Sequence, residues 1–94
     1  FSSPFSVAFT PDSATALVVL PSEDAVRFFN VASSSQVANV VVGDLPEEVV
    51  VNTAGTRAYV TNEGSNDVSV IDIVAASVVT AVPTPDPIFV VLQP

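Results

Sequence analysis

The 94-residue chain has no cysteine, histidine, lysine, methionine or tryptophan, and it holds three glycines and two arginines. Without cysteine there is no disulfide, no thiolate nucleophile and no thiolate-held zinc or iron–sulfur cluster. Without histidine the commonest general base, the commonest transition-metal ligand and any Ser-His-Asp arrangement are gone. Without lysine there is neither a Schiff base nor a phosphate-binding lysine of the Walker type. Long apolar runs are missing too. The stretch Ile88-Phe89-Val90-Val91-Leu92 has strand length, well short of the ~18 residues that suggest a membrane-spanning helix. Basic charge is scarce: ten acids face two arginines, for a formal net charge of −8. That balance repels nucleic acid and anionic lipid, which need a basic face. It suits a solvated, mutually repelling surface, or one that attracts cations. A cysteine-free chain fits oxidising and reducing compartments alike. The chain opens at Phe1 with no initiator methionine and no visible signal peptide, as a processed, excised or partial chain would.

What remains is rich in valine, with Phe, Ile and Thr in support, the β-branched and aromatic types that suit a pleated, buried surface. Prolines and scattered Ser, Asn and Asp divide the apolar segments into short pieces, as alternating strands and turns require.

Those pieces repeat. A shift of 42 residues aligns the two halves without a gap. Pro4 falls on Pro46, Val7 on Val49, Ala16 on Ala58 and Val18 on Val60. Val26 meets Val68, Ser35 meets Ser77, Val37 meets Val79, Val40 meets Val82 and Asp44 meets Asp86. The chain therefore divides into residues 1–45, residues 46–86 and, at 87–94, the opening strand of a third copy. The second copy holds strand-sized segments at Glu48–Asn52, Ala58–Asn62, Val68–Asp72 and Val78–Val82. Turn formers join them at Thr53–Thr56 and Glu63–Asn66, as Pro11–Ala14 and Pro21–Asp24 do in the first copy. Four antiparallel strands in about 40–45 residues predict an all-β fold of β-propeller blades. Ala16–Leu20 and Val49–Val51 are apolar on both faces, so neighbouring blades are expected to cover them. The fourth strand, interrupted by Gln36, Asn39 and Thr80, reads as a solvated outer edge.

Tyr59-Val60-Thr61-Asn62 stands inside Val51–Asn62 and is followed by Asn66-Asp67-Val68-Ser69-Val70-Ile71-Asp72. This run resembles the YVTN family of β-propeller repeats, found in surface-layer and secreted proteins. Val7-Ala8-Phe9-Thr10-Pro11-Asp12 resembles it more loosely. The resemblance spans nearly the whole chain and implies an inner first strand in each repeat, with Ile88–Leu92 opening the next blade. The same blade occurs in lactonase-like enzymes and quinoprotein-type dehydrogenases. The sequence departs from the pattern at Leu17–Leu20, at Ser13, at Thr53 and at Ile73–Ala76, where an apolar stretch replaces a polar hairpin.

Two blades do not close a ring, since known propellers use roughly four to eight. A bare face of ~500 Å² of apolar surface would forfeit on the order of 10 kcal/mol, which rivals the stability of an ordinary domain. The expected partners are therefore neighbouring blades of a longer chain or other copies of this one. Strand donation by the tail strand is the rival route.

Polar candidates lie in turns and linkers. Asp44, Glu47 and Glu48 cluster between the repeats and are weak calcium candidates, since hard cations take several carboxylate oxygens. No EF-hand spacing accompanies them, and solvated loop acids explain them more simply. Glu63, Asn66 and Asp67 flank Gly64 and could form a binding rim, although turn chemistry accounts for them as well. Asn30 and Asp72 are expected to bond to the backbone of the hairpins that follow them. Arg27, between Val26 and Phe28, calls for a carboxylate partner, while Arg57 is expected to be exposed before its strand. Phe28 and Phe29 read as core. No catalytic residue, resident metal or cofactor is assigned.

The reading is a non-catalytic scaffold or interaction module of an extracellular, periplasmic or cell-surface protein, with a protein or glycan as ligand and no membrane insertion. One alternative is part of a lactonase-like or quinoprotein-like enzyme. The other is a filament subunit built by strand donation.

Overall fold

The computed structural model describes residues 6–83. Over that span the chain forms eight strands: β1 (Ser6–Phe9), β2 (Thr15–Leu20), β3 (Ala25–Asn30), β4 (Ser35–Val41), β5 (Pro46–Val51), β6 (Arg57–Asn62), β7 (Asp67–Asp72) and β8 (Ser77–Pro83). They make two four-stranded antiparallel sheets, ordered β1-β2-β3-β4 and β5-β6-β7-β8. Each strand pairs with its sequence neighbour because the turns between them are short and carry the residues that turns need. The β2–β3 connection is a single 3-10 turn at Pro21–Glu23, closed by Asp24 in a left-handed conformation. Proline at its start presets φ, and an aspartate tolerates the positive φ at its end.

The two halves match in detail. Between β3 and β4, Phe28 faces Ala38 and Phe29 faces Gln36, which leaves Val37 as a bulge residue. Between β7 and β8, Ile71 faces Val78 and Val70 faces Thr80, which leaves Val79 in the same role. The hairpins agree as well. Asn30 Oδ1 accepts the Ser33 N–H at 3.1 Å, and Asp72 Oδ1 accepts the Ala75 N–H at 3.0 Å. Ser34 and Ala76 then follow with φ of +57° and +54°. The apolar Ile73–Ala76 stretch therefore turns in the same way as its counterpart at residues 31–34, because a side-chain oxygen, of Asn30 or of Asp72, caps each turn. Arg57 differs slightly from expectation: it is the first residue of β6 and is half-buried.

The core lies between the sheets. Leu17, Val19, Val26, Phe28 and Val40 of the first meet Val49, Ala58, Val60 and Ile71 of the second. The inner strand β5 packs on β1 and β2. Leu17, Val19, Val26, Ala58, Val60 and Ile71 are fully buried, as expected for strands covered by a neighbouring blade. The outer strand β8 is exposed at every position, in keeping with a solvated edge. The predicted strand Ile88–Leu92 lies outside the described residues, as does Asp86.

Candidate functional site

Alternation of strand direction sends the turns to two ends of the sheets. Pro21–Asp24, the linker 42–45 and the turn 63–66 share one end. At this end the first blade is fastened to the second, mostly through backbone groups. The Leu45 N–H donates to Asp24 Oδ1 at 3.0 Å, and the Val42 N–H donates to the Asp24 carbonyl at 2.9 Å. The linker then lies against the second turn: Glu63 N–H bonds to the Leu45 carbonyl at 3.0 Å and Gly64 N–H to the Asp44 carbonyl at 2.9 Å. The approach is close enough that a Cβ on Gly64 would stand 2.8 Å from the Asp44 Cβ.

Side chains complete the junction. The Asp44 N–H donates to Ser65 Oγ at 3.0 Å, and that hydroxyl donates to Asp67 Oδ1 at 2.9 Å. Asn62 Nδ2 donates to the same carboxylate oxygen and to Ser69 Oγ, both at 2.9 Å. Asn62 is fully buried, and its Oδ1 has no hydrogen-bond partner. Gly43 leaves room for it, since a Cβ there would stand 2.8 Å from the Asn62 amide.

The fold thus brings Asp44 together with Glu63, Ser65 and Asp67, joining the linker acids to the candidate rim in one loop cluster. Glu47 and Glu48 stand apart from it on β5, both half-buried. Glu48 Oε1 is buried without a hydrogen-bond partner, as is Thr61 Oγ1, and the two residues face each other across β5 and β6. Among the described residues no three Asp or Glu side chains converge as cation ligands would. Asn66 has φ of +52°, a turn conformation that asparagine tolerates. Arg27 has its carboxylate: its guanidinium pairs with Glu23, and its Nε also donates to Asn39 Oδ1 at 3.3 Å.

The opposite end holds two adjoining clefts at the seam between the sheets. One, of about 250 Å³, is lined by residues including Thr10, Asp12, Gly55 and Ile73. The other, of about 240 Å³, is more apolar, with Phe28, Val37, Ile73 and Val74 among its walls. Asp12 accepts the Thr10 hydroxyl at 2.6 Å and the Ala14 N–H at 3.0 Å. These bonds favour its ionised form and lower its pKa, the Thr10 hydroxyl being the larger cause. The carboxylate therefore organises its own turn. Sequence reasoning assigned no site here; the signal that could have marked it was the unusually apolar Ile73–Ala76 turn.

No family model matches the chain, and no curated protein matches it. Solved structures do. Hydrazine synthase from Kuenenia stuttgartiensis superposes with a TM-score of 0.86 at 29% identity, covering 88% of this chain and 24% of that one. The dihydro-heme d1 dehydrogenase NirN, solved in complex with DHE, gives 0.77 at 20% identity over 83% of this chain and 17% of its own. The WD40 repeats of RRP9 give 0.80 at 8% identity over 89% and 27%. The chain thus spans about a quarter or less of the length of each of the three. Sheet order, inter-sheet packing and these likenesses agree on the architecture: the described residues form two successive β-propeller blades.

Proposed function

We propose that the chain serves as a non-catalytic propeller scaffold, of the YVTN kind, within an extracellular, periplasmic or cell-surface protein. The supporting observation is how the polar residues at the junction end are used. Asp24 and Ser65 accept hydrogen bonds that tie the linker to the neighbouring turns, and Asp67 and Asn62 brace the turn that carries Ser65, which makes a stiff rim that can present Glu63 and Asn66 to a protein or glycan. A rim held by the scaffold in this way favours recognition, because little ordering entropy is lost on binding.

One observation favours an enzymatic role instead: the 29% identity to a segment of a protein named as a synthase. Lactone hydrolysis and quinone-coupled dehydrogenation are the reactions to test, in the whole protein that carries this segment. They are to be assayed with and without the triple substitution Glu63→Ala, Asn66→Ala, Asp67→Ala. Neither reaction should rise above the blank in either protein. Turnover that disappears in the triple variant would overturn the scaffold reading.

A further inference from the structure

The end of the sheets away from the junction carries two features that the fold does not call for. The first is the apolar turn Ile73–Ala76. Under the 42-residue shift it corresponds to Val31-Ala32-Ser33-Ser34, and the two turns share one geometry, down to the side-chain cap and the positive φ of the last residue. Serines therefore suffice to build it. The second copy nonetheless places alanines where the first has those serines, and Val74, which is 87% exposed, where the first has Ala32. Exposing a valine so fully gains the folded chain nothing. The second feature is Asp12. Its counterpart in the second copy is Ala54, so the carboxylate is no part of the repeat either.

Both features border the seam between the sheets. The two clefts there share Thr15 and Ile73 as walls. Val74 lines the apolar one together with the buried Phe28 and with Val37, which is 62% exposed. Asp12 lines the other and is the one charged residue among the walls of either. The Thr10 hydroxyl and the Ala14 N–H both donate to its Oδ1, while the residue as a whole stays exposed. Arg57 and Asp72 belong to the same end, but their neighbours Ala58 and Ile71 point into the core. Strand alternation therefore sends both to the far face of the second sheet. Among the described residues no arginine pairs with Asp12.

Volumes of about 250 and 240 Å³ fall below the ~300–1,000 Å³ of sites that enclose a small molecule, so each cleft suits one side chain of a larger partner. We propose that the seam docks an extended segment of another protein, with a bulky apolar side chain against Phe28, Val37 and Val74 and an arginine or lysine a few residues away paired with Asp12. Charge complementarity selects this occupant. With ten acids against two arginines, the chain attracts a segment that bears a cation and repels an acidic one. Both walls belong to these two blades, so the site stands whichever further blades flank them. It lies at the opposite end from the Glu63 rim and is independent of the function proposed for that rim.

The test uses the whole protein that carries this segment, with any further blades in place, and reads the fluorescence anisotropy of dye-labelled, end-blocked octapeptides. Each is glycine and serine apart from one leucine and one arginine, set two, three or four positions apart, roughly 7–13 Å in an extended chain. At least one spacing should bind about tenfold or more tightly than versions with the leucine or the arginine replaced by serine. Asp12→Asn, which can keep both turn bonds through its amide oxygen, should weaken that peptide about tenfold. In this variant, replacing the arginine of the peptide should cost nothing further. Val74→Ser should weaken binding severalfold without loss of the fold, because the side chain is exposed; circular dichroism checks both variants. Glu47→Gln removes the same charge at the junction end of β5 and should leave binding unchanged. Peptides that bind no better than both controls at every spacing would overturn the proposal. So would equal losses from Asp12→Asn and Glu47→Gln, which would reduce the attraction to net charge alone. Either failure leaves the scaffold reading to be judged by its own turnover assay.

Discussion

Asn62 is a fully buried polar residue that fastens Asp67 and Ser69, and Gly43 is the residue that lets it fit. Gly43→Ala should cost about 1–3 kcal/mol by overpacking. Asn62→Ala should cost a similar ~1–3 kcal/mol by stranding buried polar partners. The double variant should be more stable than the sum implies by about 0.5–3 kcal/mol, because removing the amide relieves its share of a clash that Ser65 Oγ, 2.5 Å from the new Cβ, also makes. Chemical denaturation of the four proteins measures this, and strict additivity would refute the steric account. Asp12 makes a pH-dependent contribution at the other end. Its folded pKa lies below 3.8, the value for the unconstrained group. Its contribution to stability is thus present above pH 3.8 and is lost as pH falls through the lowered folded pKa. Wild type should melt above Asp12→Asn at neutral pH, and that gap should narrow below pH 3.8. An unchanging gap would mean that the carboxylate's charge is irrelevant. Polar turn residues such as Asn30 and Asp72 were legible in the sequence because their bonds are local. The role of Asn62 was not, since its partners become a site only when the linker docks. The repeat did hold a clue: Asn62 aligns with Leu20, a buried apolar residue.

The outer strands carry no charge at all: β4 reads Ser-Gln-Val-Ala-Asn-Val-Val and β8 Ser-Val-Val-Thr-Ala-Val-Pro. An uncharged, valine-rich edge invites pairing with other chains. The bulges at Val37 and Val79 oppose that by interrupting each ladder and twisting the edge. Val79 is 52% exposed, so Val79→Lys should change stability by less than about 0.5 kcal/mol while slowing aggregation in prolonged light scattering. Faster aggregation would mean that the edge is not the route. Strand positions were read to within a residue or two of β5 to β8, because proline, glycine and asparagine mark their limits. The bulges were not legible, since Val37 and Val79 continue the apolar pattern and only the pairing register reveals the extra residue.

Across the whole molecule, a net charge of −8 makes the folded chain repel itself. The Debye length falls from about 30 Å at 0.01 M salt to about 3 Å at 1 M. The melting temperature should therefore rise as salt is added over that range, as read by circular dichroism. A melting temperature that falls with salt would mean that ion pairs, such as Arg27 with Glu23, outweigh the repulsion. That each blade is apolar on both faces was legible, because the repeat and the two-sided strands are both visible in the sequence. Which side chains belong to which face needed the cross-strand register. The meeting of Asp44 with Ser65, 21 residues apart, needed the packing of one blade on the other.

Strand order follows chain order within each sheet, and this bears on how the protein is made. A nascent chain needs no later residue to complete the first sheet, so that sheet can zip up as soon as β4 has left the ribosome. At about 5–20 residues per second, the 42 residues of the next repeat follow within on the order of a few seconds. During that interval the row of Leu17, Val19, Val26, Phe28 and Val40 waits without its mate. Synthesis then delivers β5, the strand that packs on β1 and β2, ahead of the rest of its blade. The order of translation thus covers the inner end of the waiting face first and leaves the outer end for last.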